Sequence, residues 1–240
     1  MNLRHALLVS LLMTSVAVAA NDDATRLLER SDAYRATFDA FVVGVKLTNH
    51  DAGRVIDEAE FEVSVKADNS LVRFLSVKSK GQSLLMRGDD MWLFLPSVAR
   101  PVRITPIQRL LGNVANGDLA RLRYADDYTA TMDGEDTVDG QPCIVLNLQA
   151  RRKAATYQRV RYVVRRSDAR PVRAEYFLTS GKPVKSATFL ELREMAGRPI
   201  LSRTIIEDAQ RPESTTTIDL MAISVRPLPD KLFSLTRAEG

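Results

Sequence analysis

The stretch Phe41-Val42-Val43-Gly44-Val45-Lys46-Leu47-Thr48, answered beyond Asn49 to Gly53 by Glu60-Phe61-Glu62-Val63-Ser64-Val65-Lys66, decides the fold. Apolar residues recur at every second position: Phe41, Val43, Val45 and Leu47 in the first run, Phe61, Val63 and Val65 in the second. A period of two places one row of side chains on one face of a strand, so the two runs read as a long antiparallel hairpin with a buried face. His50, in Thr48-Asn49-His50-Asp51-Ala52-Gly53, reads as a residue of the hairpin tip.

Outward from this hairpin the same grammar repeats. Upstream, Asp22 to Thr25 can cap a helix running through Leu27 and Leu28 towards Tyr34. Downstream, strands are expected at Leu71–Val77, Ser83–Arg87, Met91–Leu95 and Arg100–Ile104. Thr105, Pro106 and Gly112 then predict a short helix over Pro106–Leu111, with Pro at its first position and Gly at its stop. The strand pattern resumes at Tyr128–Met132, Cys143–Leu148, Gln158–Arg165, Val172–Leu178, Val184–Leu192, Ile200–Glu207 and Thr215–Val225. Asp133-Gly134, Asp139-Gly140, Ser180-Gly181 and Ala196-Gly197 are the turn signals between them. The class is therefore mainly β: one domain over residues 21–240, built on a large antiparallel sheet. Leu84-Leu85-Met86 and Met91 to Leu95 are apolar on both faces, while few helices are available to cover them. A strongly curved sheet with helices plugging its concave side accounts for both observations.

The first 20 residues read as a secretory signal peptide. Arg4 and His5 precede a mostly apolar run to Val18, and the small residues Ala19-Ala20 precede polar Asn21-Asp22. The apolar run is shorter than the ~20 residues a membrane-spanning helix needs, and no Cys follows it to carry a lipid. A periplasmic, unlipidated protein is the expectation. Cys143 is the single cysteine, so an internal disulfide is impossible, and its run Cys143-Ile144-Val145-Leu146 marks it as a small core hydrophobe. The net charge of +4 is a small excess. Arg151, Arg152, Lys153, Arg159, Arg161, Arg165, Arg166, Arg170 and Arg173 form a basic segment opposed locally by Asp168 alone. Solvent-facing strand arginines are one reading and an acidic lipid or partner surface is another; export argues against nucleic acid.

The segment Asp90-Met91-Trp92-Leu93-Phe94-Leu95-Pro96, then Arg100-Pro101-Val102-Arg103-Ile104, then Gln108 to Leu119 resembles the outer membrane lipoprotein-sorting proteins. These are relatives of the periplasmic carrier LolA and its receptor LolB. Phe94 stands where that family commonly has Tyr, and Gly112 to Asp118 is a variant of its Gly…Asp-Leu loop. The resemblance implies an unclosed half β-barrel with helices over its open side and an apolar cavity between them. It also implies that the cavity shelters lipid or the acyl chains of lipoproteins, taken from an inner-membrane exporter or passed to an outer-membrane acceptor. Trp92, Phe94, Leu84, Met86, Phe61 and Val63 are the candidate cavity residues, with ordinary core as their alternative reading. Gly112, Gly117 and Asp118 are the candidate lid loop, and Arg100, Arg103 and Arg109 candidate contacts for a head group or partner.

No cofactor is implied, and the expected protein is a non-catalytic monomer. Beyond residue 20, His50 is the single histidine, no Gly-x-Ser-x-Gly elbow exists, and metal ligation would have to rely on carboxylates. The acidic pairs Asp89-Asp90, Asp126-Asp127 and Glu135-Asp136 read as turn residues. A sensor or adaptor of the same architecture, binding a membrane regulator or exporter, is the competing function.

Overall fold

The computed structural model describes residues 22–236; the expected signal segment lies outside them. The first strands, β1 (Ala40–Asp51), β2 (Arg54–Lys66), β3 (Asn69–Phe74), β4 (Ser83–Arg87), β5 (Asp90–Phe94) and β6 (Val102–Ile104), form one antiparallel meander. Residues 105–127 follow, carrying a small hairpin of β7 (Arg109–Leu111) and β8 (Val114–Ala115) and two short helices, Asn116–Ala120 and Tyr124–Asp127. A second meander runs through β9 (Tyr128–Val138), β10 (Gln141–Ala150), β11 (Arg159–Arg165), β12 (Pro171–Phe177), β13 (Pro183–Met195), β14 (Arg198–Asp208) and β15 (Ser214–Val225). Pairing of β1 with β15 joins the two meanders into one 13-stranded sheet whose edges are β6 and β9. The sheet is curved and not closed into a barrel, as expected.

This topology dictates the cover. The chain has to pass from edge β6 to the opposite edge β9, so residues 105–127 cross the open side of the half-pipe. The helix over residues 22–32 lies on the same concave side, with Leu27 and Leu28 buried in the main core and Ser31 Oγ 2.9 Å from Tyr162 Oη on β11. Register shifts in β1/β15, β9/β10, β11/β12 and β13/β14 supply local twist, bending the strands around this cover.

The period-two reading of the first hairpin holds residue by residue. Phe41, Val43, Val45, Leu47, Phe61 and Val63 belong to one concave core, with Val72, Leu84, Met86 and Met91 continuing it. The turn is tighter than the sequence suggests. Ala52 and Gly53 alone form it, with φ of 47° and 75°, the two positive values a two-residue hairpin turn demands. His50 sits within β1, opposite Val55.

The doubly apolar strands have a different cause from the one expected. Val42, Leu71, Leu85 and Phe94 point to the convex face and are buried there by Leu228 and Phe233. The chain after β15 folds back over the outer face, ending in a 3-10 turn at Asp230–Phe233. The Lys66 Nζ ties it down by donating to Leu228 O (2.9 Å) and Asp230 Oδ1 (2.6 Å). Both faces of β3–β5 are thus covered, the inner by helices and the outer by a C-terminal strap.

Two local expectations are overturned. Pro106–Leu111 is not helical. Gln108 folds back to Thr105 through its backbone N–H and its side chain, and Arg109–Leu111 becomes a strand paired with Val114–Ala115. Six residues are too few for a helix to stand without packing on both sides, and Gly112 (φ 52°) turns the hairpin. Asp133-Gly134 is not a turn either: β9 runs through it to Val138, and the extra residue there forms a bulge against β10. Glu135-Asp136 accordingly lie in a strand, bonded to Arg166 and Arg173.

Candidate functional site

Between the concave face and its cover lies a cavity. Its sheet walls are Val43 and Val45 of β1, Val63 of β2, Leu201 and Ile206 of β14, and Ile218 and Leu220 of β15. Leu119 and Leu122 of the covering segment close it from above. These are the inward positions of the strands that join the two meanders, where β1 meets β15 at the centre of the sheet. At the other end the lining turns polar: Arg35, Tyr124, Tyr176 and Asp118. The volume open to the centres of water-sized molecules is 80 Å³. A bound water needs roughly 10–15 Å³ on that scale, so there is room for a few.

The polar end is built from tyrosines of β9, β11 and β12, of the short helix before β9 and of the loop before β11. Tyr124 and Tyr176 share a hydrogen bond (2.8 Å), Tyr124 lies edge-on to Tyr128 and Tyr162, and Tyr157 leans on Tyr176 with centroids 4.5 Å apart. Burial pushes the hydroxyls of Tyr124, Tyr128, Tyr157, Tyr162 and Tyr176 above their ordinary pKa, so they stay neutral. Arg35, in the turn after the first helix, lays its guanidinium over the Tyr124 ring (3.9 Å) and donates from Nε to Leu122 O (3.0 Å).

One buried ion pair and one hydrogen bond to a backbone carbonyl fix the covering segment to the two halves of the sheet. Asp118 accepts from Lys185 Nζ of β13, from Tyr157 Oη (3.0 Å) and from the Ala115 amide (2.7 Å), while Lys185 also donates to Asn113 O (2.9 Å). Arg121 donates from Nε to Asp127 (2.7 Å) and reaches across to Gly88 O (3.0 Å) at the β4–β5 turn. Burial lowers the Lys185 pKa, and the adjacent Asp118 carboxylate opposes that. Gly112 and Gly117 mark close approaches. A Cβ on Gly112 would stand 2.3 Å from Thr216 Oγ1, and one on Gly117 2.0 Å from Thr156 Oγ1. Packing alone requires both glycines.

Asp32 is a further buried acid, at the end of the first helix. Its Oδ2 accepts from the Ala125 amide (2.7 Å); its Oδ1 has no hydrogen-bond partner, and Arg35 Nε stands 3.9 Å away. Burial pushes its carboxyl up to about 6, against the pull of Arg35 and the amides of Ala125 and Tyr124, and Asp126 adds to the rise. The folded protein therefore holds this proton more tightly than the unfolded chain, and stability attributable to Asp32 grows as pH falls from 7 towards 4. The raised value corresponds to about 3 kcal/mol over that interval. Urea titrations of wild type and Asp32→Asn at pH 4, 5, 6 and 7 should differ by a term with this slope; a constant difference would refute it.

The residues expected from sequence divide between the two faces. Phe61, Val63, Leu84 and Met86 lie in the concave core, and of these Val63 lines the cavity. Trp92 and Phe94 do not join them. On β5 the inward positions are Met91 and Leu93, and Trp92 and Phe94 point outward to the convex cluster under the strap. Arg100, Arg103 and Arg109 are exposed, Arg103 is paired with Asp90, and none lines the cavity. No motif in the linear sequence singles out Arg35, Tyr124 and Tyr176. The available signal was the alternation Val160-Tyr162-Val164 and Ala174-Tyr176, which places tyrosines on an inward face.

The basic segment is neutralised from a distance. Arg152 bonds Asp89 (2.7 Å), Arg161 pairs with Glu175 (3.4 Å), Arg165 bonds Asp168 (2.9 Å) and Arg173 bonds Asp136 (2.8 Å). Arg159 stacks on Phe177 at 3.7 Å, and Arg151 and Arg170 donate to backbone carbonyls. Cys143 is buried among Val145 and Val163 beneath these side chains. Apart from the local Arg165–Asp168 pair, acids distant in the sequence supply the opposing charge.

A family model described as an uncharacterized protein matches residues 66–238. No curated protein matches the chain. Among solved structures, a LolA superfamily protein, NE2245 from Nitrosomonas europaea, is 33% identical with a TM-score of 0.83, over 88% of this chain and 97% of that one. A DUF1329 family protein from Desulfovibrio piger is 23% identical (TM-score 0.75, 90% and 97% covered). A domain from Vibrio parahaemolyticus described as an outer membrane lipoprotein-sorting protein is 15% identical (TM-score 0.73, 89% and 97% covered). The latter two speak for the fold alone. With the open sheet, the crossing cover and the first of these relatives together, the chain belongs to the LolA superfamily.

Proposed function

We propose that this protein is a monomeric periplasmic carrier that shelters a lipid, or the acyl chain of a lipoprotein, between membrane partners. The observation that carries the reading is the apolar gap between β1, β2, β14 and β15 and the covering segment, in a chain of this superfamily. Each CH2 moved from water into such a gap contributes about 0.8 kcal/mol, so apolar area matters more than polar contacts. The present volume of 80 Å³ is below the roughly 300–1,000 Å³ of ligand sites, so uptake requires the covering segment to lift. Gly112, Gly117 and Asp118 are the points about which it would do so. Arg100 and Arg109, exposed near the open edge, are available to an exporter or acceptor surface.

Native mass spectrometry of protein isolated gently from its own cell envelope tests the reading. Bound species stepping by methylene masses support a carrier. A protein that is empty and takes up no added lipid refutes it and leaves a partner-binding adaptor. Substitutions on the two faces sharpen the test. Val63→Glu puts a charge in the cavity and should weaken acyl binding by tenfold or more, on the order of the cost of burying an unpaired carboxylate. Trp92→Glu, on the convex face, should leave acyl affinity unchanged in folded protein. Equal loss in both would place the ligand elsewhere.

A further inference from the structure

Resting on the carrier reading, we infer that the cavity selects an amphiphile with an anionic head, a carboxylate or a phosphate, which pairs with Arg35. The side chain of Arg35 is 12% exposed and lines the cavity. A guanidinium carries five N–H donors. Nε donates to Leu122 O, and among the described residues no acceptor meets the four N–H bonds on Nη1 and Nη2. The nearest carboxylate, Asp32, stands 3.9 Å from Nε and not at the Nη end. Arg35 keeps Asp32 as a counter-charge on its Nε side, and its Nη donors are left for a ligand oxygen at the polar end of the cavity.

The surroundings suit such a head. Stacking on Tyr124 holds the guanidinium plane in place, so its paired donors are presented to a planar or tetrahedral oxyanion in a fixed geometry. The hydrogen bond between Tyr124 and Tyr176 uses one of their two hydroxyl protons. The other is left to donate at the same end of the cavity. Asp118, the acid that lines it, is already bound by Lys185, Tyr157 and the Ala115 amide, and presents no bare charge to repel the head. The tail would then run along Val43, Val45 and Ile218 towards the apolar end.

Calorimetric titration with four dodecyl probes, each below its micelle concentration, tests this: dodecanoate, dodecyl phosphate, dodecan-1-ol and dodecyltrimethylammonium. The anions should bind about ten- to a hundredfold tighter than the alcohol, the scale of a charge-assisted hydrogen bond. The cation should bind weakest. The ratio of dodecanoate to dodecyl phosphate separates a free fatty acid from a phosphate-headed lipid as the source. In Arg35→Gln the ratio of anion to alcohol affinity should fall to about one, and Arg35→Lys should keep the preference for phosphate over alcohol. Equal binding of acid and alcohol by wild type would overturn the inference and leave the carrier reading intact; the wild-type comparison decides even if Arg35→Gln fails to fold. Binding of none of the four would overturn the carrier reading, and this inference with it.

Discussion

Asp118→Ala is expected to lower the stability of the protein by about 3–5 kcal/mol, the cost of removing one partner from a buried ion pair. The magnitude follows from what is left behind. Lys185 is 6% exposed, and without Asp118 its charge would keep one hydrogen bond, to Asn113 O. Tyr157 Oη and the Ala115 amide would lose their acceptor as well. Burial already lowers the Lys185 pKa, so part of the cost can be relieved by losing the proton, which sets the upper bound. The double variant Asp118→Leu with Lys185→Met should recover most of the loss, because well-packed apolar residues commonly replace a buried pair without penalty. Urea midpoints for the three variants check this. A loss below 1 kcal/mol in the single variant would show that the pair does not hold the cover to the sheet.

That ion pair also sets the energetics of the carrier reading. The covering segment is held to β13 by Asp118 and Lys185 and to the β4–β5 turn by Arg121, so lifting it breaks buried polar contacts on at least one side. Water admitted by the opening compensates part of this cost, and burial of a ligand tail offsets the rest. The double variant, which removes the Asp118 contact without leaving an orphan charge, should therefore load ligand faster than wild type. The effect would be on rate, not on which ligand is chosen.

How much of this was legible in the sequence depends on the range of the interaction. The Phe41-to-Val65 hairpin was readable because period-two alternation is local, and its inward row is the row that meets the cavity. The strands of the second meander lie within about three residues of their expected ends for the same reason, except β9, which runs past Met132 to Val138. Trp92 and Phe94, candidates for the cavity, lie on the outer face; Met91-Trp92-Leu93-Phe94 is apolar throughout, so the sequence does not say which of them face inward. Alternation carries no information when both faces are covered. What covers the outer face begins at Leu228, far along the chain, and only the fold brings it there. The polar end of the cavity was missed on similar grounds: Arg35 is one arginine among many until folding buries it against Tyr124. The helix expected at Pro106–Leu111 had sound caps, but capping signals cannot hold six residues in a helix against a competing hairpin.

The separation of the two faces yields the second large effect. Phe233 is 4% exposed and packs with Val42, Leu71, Leu85, Phe94 and Leu228 on the convex side. Truncation to Ala removes most of a buried ring, and such changes typically cost about 3–5 kcal/mol through lost transfer energy and the cavity left behind. The strap is held otherwise by Leu228 and by the Lys66 contacts, one of them to an Asp230 side chain that is largely exposed and of small worth. Phe233→Ala should thus release the strap before the sheet unfolds. The first sign would be faster proteolysis after residue 226, followed by a lowered urea midpoint as Leu85 and Phe94 meet water. Since one sheet lies between this cluster and the cavity, the affinity for dodecanoate should stay within about twofold of wild type at temperatures where the variant is folded, as expected for sites that share no partners. A variant that keeps its midpoint, or that loses ligand affinity while folded, would show that the strap is not an independent brace of the outer face.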